Sequence, residues 1–442
     1  MRTILAPLVS LASLCGALGS APAAAANLGA VFEMARGADA LYAAQVAAAA
    51  AGREKSPQGR ALLLPSVNLT GNSNWNRDHS TSYPGAADYQ SGAWALSLTQ
   101  PLLRIANVKA YQQGELQALL ADQQLKLAEQ DLLIRVSKSY FDVLLAQDVL
   151  ASVGAQKGAF AQQLAQARRS FEVGTAPITD VNEAQSRYDL TLAQEIASRN
   201  DLEVKRRILE KSIARELPTL APLDPEASVD ILPGDVQNAL AARASTDALQ
   251  VAVGITVEEV AQREVGRQQA GHLPTLDLVA STGENRNVNY QGVSGRGVNT
   301  HQTIVGVNLT LPIYQGGAVD SRVREAAANL DRAQQELTNA RRQAQLDAHE
   351  ALLGVQSGSA MHQALRQALS SSEAQVRSTR RGLEVGLRTR VDVLNAEQQL
   401  YATKKDLAAS RYETLMAGLK LKAAAGVLTE QDLRALDSLL KE

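Results

Sequence analysis

Cysteine is almost missing from this 442-residue chain. The single one, Cys15, lies in an apolar stretch near the N-terminus, so from residue 27 onward the chain has no thiol for a disulfide, for catalysis or for a cysteine-bound metal. Histidine is sparse too: His79, His272, His301, His349 and His362 stand singly, without the spacing that brings metal ligands together. The formal charge of −2 leaves no basic excess, which excludes nucleic acid as a partner. Beyond the first residues there is no run of about 18 apolar residues, so no transmembrane helix is expected. Any contact with a membrane must then be made at its surface or by a closed barrel. Gly292, Gly295 and Gly297 mimic a phosphate loop, but no helix or lysine follows them, and they read as a hairpin tip. No Ser, Cys or carboxylate stands in a nucleophile setting, so neither an enzyme nor a cofactor is expected.

Residues 1–26 have the layout of a secretory signal: Arg2, an apolar stretch from Ile4 to Leu18, then small residues ending in Ala24-Ala25-Ala26. The expectation is removal on export, with a mature chain starting near Asn27. Leu14 precedes Cys15 where a lipoprotein signal places a small residue, which argues against a lipid anchor.

What remains is written twice. Residues 168–184, from Arg168-Arg169-Ser170-Phe171-Glu172-Val173-Gly174 through Asp180-Val181 to Ala184, return 212 positions later as Arg380-Arg381-Gly382-Leu383-Glu384-Val385-Gly386 through Asp392-Val393 to Ala396, with eight of 17 residues identical. Leu64-Pro65-Ser66-Val67 likewise answers Leu273-Pro274-Thr275-Leu276, and Leu98-Thr99-Gln100-Pro101 answers Leu309-Thr310-Leu311-Pro312. Such self-similarity means one structural unit used twice.

Each unit reads as helix, strand pair, long helix, turn, helix. From about Leu102 to Val173 and from about Gly317 to Val385 the chain is rich in Ala, Leu, Gln, Glu, Lys and Arg and nearly free of Pro. Leu120, Leu127, Ile134 and Phe141 recur every seven residues, a coiled-coil seam. About 70 residues at 1.5 Å each span on the order of 100 Å, too long for a compact domain. Gly174 and Gly386 close the rods, and Pro177, Asp180, Thr389 and Asp392 start the helices that follow. The alternations Trp94/Leu96/Leu98 and Val305/Val307/Leu309/Leu311 have the period of a strand with one apolar face, and polar loops at about 77–90 and 284–300 join the two strands of each pair. Four strands cannot close a barrel, and open edges are not tolerated in lipid, so a membrane reading requires several copies.

The expected layout is therefore a signal segment 1–26 and a first repeat 27–217, with strands within about 64–101 and a turn at 174–180. A Pro-rich connector 218–235 (Pro218, Pro222, Pro225, Pro233) leads to a second repeat 236–425, with strands within 273–312 and a turn at 386–392. Residues 426–442 form an amphipathic end with Thr429 and Asp432 as a capping box.

These parts, above all Val385-Gly386-Leu387-Arg388-Thr389-Arg390-Val391-Asp392-Val393-Leu394-Asn395-Ala396 and Leu428-Thr429-Glu430-Gln431-Asp432-Leu433, resemble the TolC family of outer-membrane channel-tunnels over essentially the whole mature chain. The resemblance implies an α+β membrane protein in which three chains contribute four strands each to a 12-stranded barrel in outer-membrane lipid, above a periplasmic α-barrel of coiled-coil helices. It implies an exit duct for type I protein secretion or multidrug efflux, gated at its periplasmic end by an adaptor and an inner-membrane pump of the ABC or RND type. Asp392 falls where the family has an aspartate ring at the aperture, and Asn395 where the type member has a second aspartate. Arg388 matches a gating tether whose partners fall at Thr179 and Asp180, while Leu383 replaces a tyrosine of that tether. Gly174 and Gly386 mark the tips that meet the adaptor. A second class, a periplasmic coiled-coil adaptor or scaffold, also uses long hairpins and a signal, but needs only one hairpin and no lipid-facing strands.

Overall fold

The computed structural model describes residues 25–79, 86–224, 227–229, 232–287 and 298–441. The signal segment with Cys15, Pro225, and the loop glycines Gly292, Gly295 and Gly297 lie outside the described residues. Four long helices dominate: α4 (Ile105–Glu172) and α5 (Ile178–Ile213) form one hairpin, α8 (Ala318–Glu384) and α9 (Arg390–Ala424) the other. At 68 and 67 residues, α4 and α8 are each about 100 Å long.

Where the sequence suggests one leading helix per repeat, the structure has a broken one in both copies. In the first, α1 (Leu28–Ala38) gives way to α2 (Ala40–Arg53) at Asp39, and α3 (Lys55–Ala61) follows. In the second, α6 (Gly234–Asp247) gives way to α7 (Leu249–Gln269) at Ala248, and a 3₁₀ turn (Ala270–His272) follows. Asp39 and Ala248 are 209 residues apart, the same offset as the strands, and both have extended backbone, ψ 116° and 136°. At Asp39 the break is held by the carboxylate, which accepts the Tyr42 N–H as a helix cap at 2.8 Å. The pieces beyond the breaks, α2 with α3 and α7, lie along the upper part of α4, while α7 also packs on α8.

Strands β1 (Ser66–His79), β2 (Ala86–Leu103), β3 (Thr275–Asn287) and β4 (Val298–Thr310) form one antiparallel sheet in sequence order. The β2–β3 ladder joins the two repeats into one sheet. The strands run well into the polar stretches first read as loops, because ladder bonds use only backbone groups and do not need apolar side chains. Cross-strand partners share a face, so the register collects Val67 and Leu69 with Leu96 and Leu98, Leu276, Leu278 and Ala280, and Val305, Val307 and Leu309 on one side. Asn68, Thr70, Asn72, Ser97, Thr99, Asp277, Ser281 and Asn308 fall on the other. The apolar side is bare: Leu69 is 72% and Val305 73% exposed. At the base of the sheet Arg104, the residue before α4, grips the buried Asp277 carboxylate with two bonds, Nε–Oδ1 2.8 Å and Nη2–Oδ2 2.5 Å, tying strand to rod.

The largest core lies midway along the rods. It gathers Leu28, Val31 and Phe32 of α1, Leu132, Val136, Tyr140 and Leu144 of α4, Leu415 and Leu419 of α9, and Leu433 and Leu436 of the C-terminal helix α10 (Glu430–Asp437). Thr429 and Asp432 make the capping box that starts α10. The chain ends and the connector are bound in by two short β-bridges, Ala26 to Leu220 and Leu223 to Leu440. Tyr140, fully buried, donates its hydroxyl to the Ala221 carbonyl at 2.9 Å, and burial pushes its phenol well above the usual range. Tyr140→Phe leaves that carbonyl unpaired and should cost about 1–3 kcal/mol, read as a lower unfolding midpoint of the purified protein.

Candidate functional site

The sequence features that point to function converge on the turn ends of the two hairpins. Both turns have one geometry. Gly174 and Gly386 each sit at φ 75°, the left-handed region, where a Cβ would meet nothing within 4 Å, so backbone conformation alone requires glycine. The bonds match as well: Gly174 N–H to Phe171 O at 2.9 Å and Thr175 N–H to Ser170 O at 2.8 Å in the first, Gly386 N–H to Leu383 O at 3.1 Å and Leu387 N–H to Gly382 O at 2.8 Å in the second. These bonds satisfy the carbonyls orphaned at each helix end.

After the second turn, Thr389 caps α9: its hydroxyl accepts the Asp392 N–H at 3.2 Å while the Asp392 carboxylate accepts the Thr389 N–H at 2.9 Å. Those bonds from Thr389, with Arg388 nearby, hold the Asp392 carboxyl below its ordinary range, so it is a fixed negative charge at neutral pH. Asp392, Asn395 and Arg388 share a polar cleft of about 470 Å³ with Gln375, Thr379 and Gln399. Leu383 is half buried on the last turn of α8.

Thr179 and Asp180 lie on the first turn of α5. Within one protomer Asp180 meets Arg390 of α9, Nε–Oδ2 3.6 Å, and Arg388 is exposed, with no side-chain hydrogen bond or ion pair among the described residues. Asn395 accepts from Arg187 of α5 at 3.1 Å, and the same guanidinium also bonds Gln398. The sequence reading missed this set of arginines. Arg390 is buried and donates to Ser170 Oγ at 3.3 Å. Arg380 carries the buried Glu397, which also accepts from Gln163 of α4 at 3.4 Å. The 212-residue offset held a signal for part of it: Arg380–Glu397 stands where the first copy has Arg168–Gln185, bonded at 2.6 Å, while Arg390 stands opposite Ile178. Apolar packing by Phe160, Leu164 and Ala167 of α4, Ala184 of α5 and Leu394 of α9 completes the seam between the hairpins.

A family profile described as "Outer membrane efflux protein" matches residues 33–215 and 238–427. The chain belongs to this family. Residues 216–237 separate the two matched blocks. The chain is 34% identical over 402 residues to the "Proteases secretion protein PrtF" of Dickeya chrysanthemi, covering 87% of this chain and 85% of that protein. It is 34% identical over 429 residues to the "Outer membrane protein TolC" of Vibrio cholerae, covering 96% and 97%. Among solved structures, the Campylobacter jejuni CmeC outer membrane channel matches its fold with a TM-score of 0.79 at 14% identity, over 94% of this chain and 90% of that one. As a member of the efflux family, the chain is an outer-membrane channel protein and not an enzyme.

The shared left-handed turn gives a test. Gly386→Ala should destabilise the second tip by about 1–2 kcal/mol, seen as faster amide hydrogen exchange from 383 to 389 with exchange in the sheet unchanged.

Proposed function

We propose that three copies of this chain form the outer-membrane exit duct of a tripartite export system, a passive conduit opened at its periplasmic end by an adaptor and an inner-membrane pump. One observation carries the reading: a four-stranded sheet with a bare apolar face and two unpaired edges stands on helices about 100 Å long. Lipid covers the face, and only neighbouring copies can satisfy the edges. Two copies would give eight strands, whose interior side chains nearly fill; three give twelve and leave a passage. A coiled-coil adaptor would have no use for such a sheet.

In this assembly the hairpin tips surround the narrow end. Asp392 repeats around the threefold axis as a carboxylate ring that favours cations, weakened by the neutral Asn395 one turn on. Arg388, which has no side-chain hydrogen bond or ion pair within its own protomer among the described residues, reaches Thr179 and Asp180 of the neighbouring hairpin and holds the end closed, with Gly174 and Gly386 at the tips that meet the adaptor. The protease-secretion relative supports a polypeptide cargo delivered by an ABC-type pump; drug efflux with an RND-type pump is the alternative, told apart by whether deletion abolishes protein secretion or raises drug sensitivity.

The mass in mild detergent should be that of three chains, and the trimer should conduct in planar bilayers; a stable monomer that inserts would contradict the barrel. Asp392→Ala should abolish cation preference and block by multivalent cations added from the periplasmic side. Arg388→Ser should raise single-channel conductance. Because Asp180 also faces Arg390, the clean second change is Thr179→Ala, which should add little to Arg388→Ser since the contact is already lost. Unaltered conductance in Arg388→Ser would assign closure to helix packing.

A further inference from the structure

The seam that fastens α9 to the α4–α5 hairpin buries polar groups that it does not satisfy. Arg390 is 8% exposed, yet its Nε and Nη1 have no hydrogen-bond partner among the described residues. Asp180 lies 3.6 Å from Nε, close enough for charge attraction and too far for a hydrogen bond, and the one bond the guanidinium makes, to Ser170, is long at 3.3 Å. Two turns away, Oε2 of Glu397 and Oε1 of Gln163 are buried and also without a partner among the described residues, and the bond between these two side chains is 3.4 Å. These atoms are enclosed within a single protomer, so a neighbouring copy in the trimer does not reach them. They sit beside the apolar cluster of Phe160, Leu164 and Leu394.

A buried charge that keeps most of its donors unmet gives up more hydration than its contacts return. Position 390 therefore weakens the packing around it, although the matching place in the first copy, Ile178, is apolar. We propose that the α4–α9 seam, centred on Arg390 with Gln163 and Glu397, is a release joint: closed packing strands these groups, separation of α9 rehydrates them, and the joint sets how readily the narrow end opens. This rests on the channel reading above and adds to it the element that makes the closed state easy to leave. Arg390 and the exposed Arg388 then work in opposite senses, the first loosening the tip from inside the protomer and the second fastening it to the neighbour.

The test is Arg390→Met, which fills similar space without unmet donors while Asp180, a quarter exposed, stays in reach of water. Its open fraction in planar bilayers should fall about tenfold, and hydrogen exchange at 390–400 should slow with the trimer mass unchanged. Gln163→Leu, which removes an unpaired acceptor from the same seam, should act in the same direction, and Arg390→Lys should not. If Arg390→Met opens as often as the wild type or more often, or exchanges faster, the arginine is a fastener and the proposal is overturned. If the wild type itself makes no channel, the channel reading fails, and the exchange rates still decide whether the seam tightens.

Discussion

A sheet of four strands has two edges of unpaired N–H and C=O groups, and here one of its faces is apolar and bare. Everything else in the molecule answers that constraint. Hydrocarbon cannot hydrogen-bond an open edge, so the sheet is stable in a membrane only when copies close it into a ring. Closure in turn fixes the number of rods around the axis: each chain brings two long helices and their return partners, and the rods must meet side by side below the barrel. The Arg104–Asp277 pair stands at this junction, where a strand register has to be handed to a helix orientation without play.

Rods of this length cannot be steadied by a core at one end. The structure places its main core at mid-length instead, where α1, α10 and the connector wrap α4 and α9 and bury the chain ends against Tyr140. Below this girdle each hairpin depends on its own seam, and the seam becomes more polar towards the tips. Buried leucines around Leu132 and Leu415 give way to the polar contacts Gln163–Glu397, Arg187–Asn395 and Arg390–Asp180. On the gated-channel reading proposed above, the gradient has a physical meaning: apolar packing holds the part of the tube that stays whole, and contacts that water can replace lie where it would part.

Much of this was legible in the residues. The 212- and 209-residue offsets reveal the duplication, and the period-two runs at Trp94–Leu98 and Val305–Leu309 identify the lipid-facing side, because alternation along a strand depends only on local geometry. The breaks at Asp39 and Ala248 were not legible: alanine-rich sequence on both sides favours an unbroken helix, and only packing against the rods turns the chain there. The strands also extend past their apolar band, since ladder bonds are indifferent to side chains.

At the tips, position and role separated. Gly174, Gly386 and the Asp392 cap follow from sequence because each acts on its own backbone. Arg390, Arg187 and Glu397 could not be read the same way: helical periodicity says which residues share a face, not which face of α9 meets the other hairpin, and a buried arginine breaks the pattern that marks a core. The central claim is that edge closure by three copies organises the whole molecule. It is tested most directly by placing cysteines along the outer edges of β1 and β4, oxidising intact outer membranes and resolving the products on a denaturing gel. The account predicts that β1-to-β4 pairs crosslink into a series that stops at three chains. A series that runs past three, one that stops at two, or no crosslink between these edges in any register would contradict it.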